Sequence, residues 1–374
     1  MAISRGQHKD VEFCTACPKL CRHACPVSNA ECRETVTPWG KMTMLNLVDS
    51  GAHASDPDNC SLFYKCLGCL LCRSYCVHEI AVPHSLSAGR ALAIECGAAP
   101  PGIAALKQAF VTSGNPAGKA PQEVIRELLP PEHFEKGVGA VFFGGCTHTL
   151  RSPGIITKFF ASAAKLGVDY LGAWDGAGRS PYCCGLPLFS AGFVREFRAH
   201  AEKVASALSA YKLVVTPCPA CAYALRALYP EQGIDIRPKV RHAVEFLLPL
   251  LEASSARLKK SGRRFAFHDP CYLGRHLGLY DEPRRALYYC GAEVAEFQWN
   301  RENAYCCGAG GNLPLTSPGT ARAIAGARRG HFKKIGADAI ATACPSCEAM
   351  LRREGSGVEV VDVVDVVYDA VTEH

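Results

Sequence analysis

Several features that would assign a 374-residue chain to a familiar class are missing from this one. No apolar run approaches the eighteen or so residues that a bilayer-spanning helix needs. Residues 1–13 (MAISRGQHKDVEF) contain no apolar core of the kind a secretory signal uses. Both absences lead to the expectation of a cytoplasmic protein with no transmembrane segment of its own, associated with a membrane only through a partner. No G-x-G-x-x-G stands between a strand and a helix, and no phosphate-loop lysine follows the glycines of residues 308–311, so neither nucleotide nor flavin is expected on this chain. Lys and Arg outnumber the acids by 41 to 35, a formal charge of +6. They are scattered among those acids, with no basic run carrying interleaved aromatics, which argues against nucleic acid as a partner. With 48% apolar and 20% charged residues the chain is also far from the composition of a disordered one.

What the chain has in excess is cysteine, 22 residues in all. In a reducing compartment thiols at regular spacings point to metal centres rather than to structural disulfides. An iron–sulfur cubane on four thiolates carries about two negative charges, which would offset much of the positive excess. The cysteines fall into groups at 14–96, 146–221 and 271–347, and the length suits two or three domains.

The first group contains Cys14-x2-Cys17-x3-Cys21-x3-Cys25-Pro26 and then Cys66-x2-Cys69-x2-Cys72-x3-Cys76. Two such runs match the two-cluster ferredoxin pattern, in which three cysteines of each run hold one [4Fe-4S] cluster and the fourth crosses to the other. On that scheme Cys14, Cys17, Cys21 and Cys76 bind one cluster, and Cys66, Cys69, Cys72 and Cys25 bind the second. The first run has one extra residue between Cys17 and Cys21, and Val77 follows Cys76 where proline is usual. Zinc is the competing ion, because C-x2-C pairs also build zinc sites and a zinc-stabilised structural protein would share this feature. Cys32, Cys60 and Cys96 have no place in the scheme and are expected to be small buried apolar residues.

Residues 98–137 are rich in Pro, Gly and Ala, with a short helical pattern on each side of Asn115-Pro116, and read as a connector wrapped on the surface. A second boundary falls near Ser254–Arg263, where a polar run ends a helix. The remaining two groups form an internal repeat. Each copy opens with an apolar strand ending in cysteine, AVFFGGC (Cys146) or FAFHDPC (Cys271). A helix-length segment leads to a second short β-like run, VDYLGAW or AEVAEFQW, and then to a CCG with Cys183 and Cys184, or Cys306 and Cys307. An amphipathic helix follows, marked in the first copy by Phe193, Val194, Phe197, Ala201, Val204, Leu208 and Tyr211. A third strand ends in C-x-x-C, with Cys218 and Cys221 or Cys344 and Cys347. Equivalent cysteines are offset by 125, 123 and 126 residues. Strand–helix alternation predicts a small parallel sheet in each copy, with its thiols gathered beyond the carboxyl ends of the strands.

Five thiols per copy exceed what a tetrahedral zinc, or a cubane with one thiolate per iron, requires. The CCG repeats, HDPCYLGR at 268–275 and YCCGAGGN at 305–312 resemble the CCG domains of heterodisulfide reductase, and with the cysteine-rich head the chain is similar to the larger iron–sulfur subunit of that enzyme over residues 12–374. The iron–sulfur subunits of glycolate oxidase and anaerobic glycerol-3-phosphate dehydrogenase share the layout, including an acid-x-Thr/Ser-Pro-x-Gly-Lys/Arg segment that here reads ETVTPWGKM at 34–42.

The resemblance implies an α+β multi-domain protein: a helical two-cluster ferredoxin-like head at 1–97, the connector at 98–137, and two pseudo-twofold-related α/β CCG units with short parallel sheets at 138–258 and 259–374. It also implies a noncubane [4Fe-4S] cluster on Cys146, Cys183, Cys184, Cys218 and Cys221, and another on Cys271, Cys306, Cys307, Cys344 and Cys347, the second set being the candidate catalytic one. The implied function is electron transfer within an oxidoreductase complex, either with disulfide chemistry at the noncubane centres or as a conductor from a flavin-dependent dehydrogenase to quinone. The implied partners are a flavoprotein or other redox subunit and a membrane cytochrome or quinone reductase. Relatives often carry His where this chain has Tyr272. His268, Asp269 and His148 are secondary candidates for proton delivery, weighed against simple hydrogen bonding at strand ends.

Overall fold

The computed structural model describes residues 5–135, 139–176, 181–352 and 356–372. The expected boundary at 137/138 falls outside them. Residues 5–97 are built from helices and turns only. Proline in the first turn and a side-chain acceptor start several of these helices: Thr37 caps Pro38–Asp49 and Asp56 caps Pro57–Ser61. Met42, Leu45, Phe63 and Leu86 are fully buried where Pro38–Asp49 and Val82–Glu95 pack together.

The connector has the helices expected on each side of Asn115, Pro101–Ser113 and Pro121–Leu128. The Asn115 amide ties the turn between them to the carbonyls of Ser113 and Lys119 at 2.8 and 2.6 Å. It is not merely wrapped on the surface. Ile103, Leu106, Phe110 and Ile125 are buried, and the Phe110 ring meets His200 edge-on at 5.5 Å.

Each repeat forms a four-stranded, all-parallel sheet. The first is β1 (Ala140–Phe142), β2 (Gly172–Ala173), β3 (Leu213–Thr216) and β4 (Lys239–His242), in the order β2-β1-β3-β4. The second is β5 (Arg264–Phe267), β6 (Glu293–Ala295), β7 (Ala339–Thr342) and β8 (Val360–Asp362), in the order β6-β5-β7-β8. Val141 pairs with Val214, and Phe265 with Ala339. The middle strands are short apolar runs because helices cover both faces. The fourth strand of the first sheet is not visible in the sequence: Lys239-Val-Arg-His buries only alternate residues at an edge and has no apolar run to announce it.

In this order the chain leaves β1 toward one edge and returns to the other side at β3. The crevice between the carboxyl ends of β1 and β3, and of β5 and β7, is therefore the topological switch point where open α/β sheets hold ligands. Cys146 follows β1 and Cys218 follows β3. Cys271 and Cys344 follow β5 and β7. The CCG cysteines differ from the expectation, lying in long loops well past β2 and β6 rather than at strand ends.

The helical segment is seated on both sheets' units. Arg90 donates to Phe63 O and Cys66 O at 2.8 Å each and to Ser190 O at 2.6 Å. Tyr64 donates to Ala191 O at 3.0 Å. From the second unit, Arg275 donates to Cys69 O at 2.5 Å. The glycines at 310 and 311 allow the closest approach: a Cβ on Gly310 would lie 2.1 Å from Leu67 O, and one on Gly311, at φ +61°, 1.9 Å from Cys66 O. Gly311→Ala should therefore lower unfolding stability by about 1–3 kcal/mol, read as a lower denaturant midpoint. Gly330→Ala, in a helix with open space at its Cβ, should raise it by about 0.5–1 kcal/mol.

Candidate metal centres

In the first unit five thiols converge. Cys146 and Cys183 are 3.4 Å apart, sulfur to sulfur, and Cys183, Cys184, Cys221 and Cys218 interact in turn. All five residues are buried. Hydrogen bonding by the Cys183 and Cys221 thiols holds Cys184 well below its ordinary value, while Cys183 and Cys221 are pushed well above theirs. The loop that presents the pair is anchored through backbone: His200 Nε2 lies 2.7 Å from Cys183 O, and Tyr229 donates to Cys184 O at 3.0 Å.

The second unit repeats this arrangement. Cys306 interacts with Cys271 and Cys307, and Cys307 with Cys347, which neighbours Cys344. Here too the second cysteine of the CCG is the one held low, by hydrogen bonding from Cys306 and Cys347. One extra group joins the set. His268 Nδ1 accepts from the buried Arg328 at 3.1 Å, which leaves the ring proton on Nε2. That nitrogen has no hydrogen-bond partner, and the ring reaches within 4.8 Å of the Cys307 and Cys347 sulfurs. Asp269 serves another purpose: its carboxylate takes two bonds from Arg284, at 2.7 and 2.9 Å, and one from Arg301 N. It is engaged by a guanidinium rather than free to deliver a proton.

In the helical segment Cys14, Cys17, Cys21 and Cys76 lie within electrostatic reach of one another; burial chiefly, and the neighbouring thiols next, push Cys14 up to about 12 and Cys21 up to about 11. Cys25, Cys66, Cys69 and Cys72 form a second neighbourhood, where burial raises Cys25 and Cys72. Cys76 of the second run thus neighbours Cys14 and Cys21 of the first, and Cys25 of the first neighbours Cys66 and Cys69 of the second. Cys69 also bonds to Cys306 of the second unit, a contact that nothing in the cysteine spacing announces.

The two CCG sets face one cavity of about 130 Å³, lined by Cys146, Cys183, Cys184, Cys218 and Cys221 on one side and by Cys271, Cys307, Cys344 and Cys347 on the other. Its remaining lining includes Thr147, Ser190, Tyr272, Asn312 and Ser346, and no charged side chain among the described residues. Cys218 lies within electrostatic reach of Cys344 across it. Tyr272 is half-buried and stacks on His276 at 4.5 Å beside Tyr223. A separate cleft of about 690 Å³ beside Arg226, Lys239 and Arg241 touches none of the cysteines.

The cysteines outside the sets depart from expectation. Cys60 is buried, and burial lifts it to about 11, but Cys32 and Cys96 are exposed. Cys32 closes the helix Pro26–Glu31 in a left-handed conformation, φ 51°. Cys290, which the repeat pattern passes over, is buried at the end of helix Asp281–Tyr289, and burial pushes it up to about 12.

All 22 cysteines are free thiols. Sets of four and five soft sulfur donors, most of them buried and close to one another, suit thiolate-bound iron. The five-thiol sets exceed a closed tetrahedral zinc site.

The family described as CCG, a cysteine-rich domain, matches residues 140–226 and 265–352, one copy on each sheet. The chain thus carries two CCG domains. It is also 28% identical over 323 residues to one subunit of the dihydromethanophenazine:CoB–CoM heterodisulfide reductase of Methanosarcina mazei, covering 83% of this chain and 77% of that protein. It is 26% identical to one subunit of the fumarate reductase (CoM/CoB) of Methanothermobacter marburgensis, over 82% of this chain and 61% of the relative. Against the EtfAB:quinone oxidoreductase of Syntrophomonas wolfei it is 29% identical, over 52% of this chain and 29% of the relative. Over most of its length the chain is thus similar to subunits of heterodisulfide reductase-type oxidoreductases. No helix among the described residues is long and apolar enough to cross a membrane.

Buried histidines give the assembly an acid limit. His148 and His242 are fully buried, and burial depresses them to about 3 and about 4. His242 caps the helix Ala243–Ser254, accepting from Val244 N at 3.3 Å. Between the ordinary histidine value and the depressed one, the unfolded chain binds the proton that the folded chain refuses, so stability falls as pH drops from about 6.5 to about 4. His242→Asn keeps an acceptor for Val244 N. It should flatten the pH dependence of unfolding free energy in that window by up to about 1.4 kcal/mol per pH unit.

Proposed function

We propose that the chain is the electron-transferring iron–sulfur subunit of a heterodisulfide reductase-like complex, organised as a ferredoxin-like head at 1–97, a connector at 98–137, and CCG domains at 138–258 and 259–374. Cys14, Cys17, Cys21 and Cys76 hold one cubane [4Fe-4S] cluster, and Cys66, Cys69, Cys72 and Cys25 hold the other. Cys146, Cys183, Cys184, Cys218 and Cys221 hold a noncubane [4Fe-4S] cluster, as do Cys271, Cys306, Cys307, Cys344 and Cys347. Such centres supply one-electron steps. The observation that carries this reading is the contact between Cys69 and Cys306. It joins the thiols of the head to those of the second CCG domain, and Cys344 and Cys218 continue the sulfur path into the first.

The protein's own residues do three things along this path. Arg275, Arg90 and Tyr64 clamp the head onto the CCG units, fixing the distance between sulfur sets. The paired domains keep water from the facing thiols. His268 presents a nitrogen-bound proton to Cys307 and Cys347, in a place where a sulfur leaving as thiolate would accept it. The partners that fit are a flavoprotein on the donor side and a membrane-bound redox protein on the other.

The uncharged lining of the shared cavity favours a second reading, in which the chain conducts between a flavin-dependent dehydrogenase and an uncharged oxidant such as a quinone. The similarity to a quinone oxidoreductase supports the same branch. The two readings separate on exposure of the oxidised protein to thiols. Disulfide chemistry predicts a new paramagnetic species that Cys307→Ser abolishes. Pure conduction predicts unchanged signals and rapid reoxidation by a quinone analogue.

The ligand assignment has its own test. Cys69→Ala should remove about four irons per chain and one low-potential paramagnetic signal while leaving the CCG centres in place. Unchanged iron content would exclude the assignment.

A further inference from the structure

The segment ETVTPWGKM at 34–42 contributes no thiol, yet each of its middle residues is fixed in place. Thr37 Oγ1 accepts from Gly40 N at 3.0 Å and donates to Glu34 O at 2.7 Å, starting the helix Pro38–Asp49. A Cβ at Gly40 would stand 2.4 Å from Glu34 O and 2.7 Å from Thr35 O, so the turn closes only over glycine. Trp39 Nε1 donates to Thr15 O at 2.9 Å, which sets this helix against the one that carries Cys14.

The residue this scaffold delivers is Lys41, only 1% exposed. Its Nζ donates to Lys65 O at 2.8 Å and to Cys25 Sγ at 3.7 Å. Among the described residues no carboxylate forms an ion pair with it. The other charges in reach belong to the thiols of Cys66, Cys69 and Cys72. A buried ammonium without a counter-charge is costly, so its counter-charge is the sulfur set itself. Among the described residues no lysine or arginine donates to a sulfur of Cys14, Cys17, Cys21 or Cys76, and the charged side chain beside Cys14, other than thiols, is that of Asp10.

We propose that Lys41 is a tuning residue whose fixed positive charge at Cys25 Sγ raises the reduction potential of the cluster on Cys25, Cys66, Cys69 and Cys72 above that of the cluster on Cys14, Cys17, Cys21 and Cys76. The physical reason is Coulombic. An added electron makes the sulfur set more negative, and a cation held at a hydrogen-bond distance stabilises that state with little screening by water. The direction of relay follows: a single electron entering at the outer cluster settles on the inner one, next to Cys306.

This inference rests on the ligand assignment proposed above, and the two fail differently. Redox titration of the full chain, monitored by electron paramagnetic resonance, separates the two cubane midpoints. Lys41→Met should lower one of them by at least tenfold in the reduction equilibrium, about 59 mV for one electron, and leave the other unmoved. Lys41→Arg should stay within threefold of the unsubstituted chain. Full iron content with unmoved midpoints in Lys41→Met overturns the proposal, and so does an equal shift in Lys41→Arg, which would make packing rather than charge the cause. Should Lys41→Met lose iron, the unsubstituted chain labelled with 15N-lysine decides: one reduced head cluster must show a 15N coupling in pulsed spectra, and its absence overturns the proposal. If Cys69→Ala leaves iron content unchanged, the ligand assignment fails first and the tuning role falls with it.

Discussion

Sulfur donors that must become thiolates, most of them buried, impose the constraint on which the rest of this structure depends. A buried negative charge has to be answered locally by a cation, by N–H groups or by a metal. The protein meets this demand in layers. The carboxyl ends of two parallel sheets gather the thiols at their switch points, where the backbone already leaves a crevice. Basic residues stand around them, buried Lys41 at Cys25, buried Arg90 bonded to Cys66 O, buried Arg328 behind His268, and half-buried Arg275 bonded to Cys69 O. These cations carry little of the ordinary surface pairing, because their partners are carbonyls, a ring nitrogen and sulfur.

The internal symmetry is closest in the chemistry and looser in its surroundings. In each CCG the second cysteine is the one whose thiolate is favoured. Around that shared centre the copies differ. The first anchors its loop through His200 and Tyr229 to backbone carbonyls, whereas the second adds His268 and Arg328 and meets the head through Arg275 and the 310–311 glycines. The second copy is thus the one joined to Cys69, and the first lies beyond it along the sulfur path.

Much of this is legible in the sequence, and the reasons are physical. Constant offsets between cysteines reveal a duplicated unit because insertions in the connecting loops are few. Apolar runs such as LVVT and AIAT reveal central strands because both faces are covered. Of the edge strands, β2 and β6 lie within the short β-like runs of the sequence, whereas β4 is illegible, since Lys239-Val-Arg-His looks like any polar loop until it is paired. The connector's Ile103, Leu106 and Phe110 lie in a stretch whose proline and glycine content suggests exposure. Cys32 and Cys96 mislead because cysteine type alone favours burial. The contacts that matter most, Lys41 to Cys25 and Cys69 to Cys306, join residues that are distant in sequence and of types with many other uses. Spacing carries no record of them.

The close seating of the head on Gly310 and Gly311 also has a consequence for biogenesis. The surface of the head around Cys66 leaves the ribosome long before its dock, which lies 245 residues later in the chain. At ordinary synthesis rates the head waits roughly 10–50 s before that surface can be covered. Throughout that interval its thiols are more open to water and oxidant than in the finished fold, and for most of it Arg275 is not yet made. The order of translation therefore runs against the order of protection, and delivery of iron and sulfide to the eight head cysteines proposed as ligands has to contend with that gap.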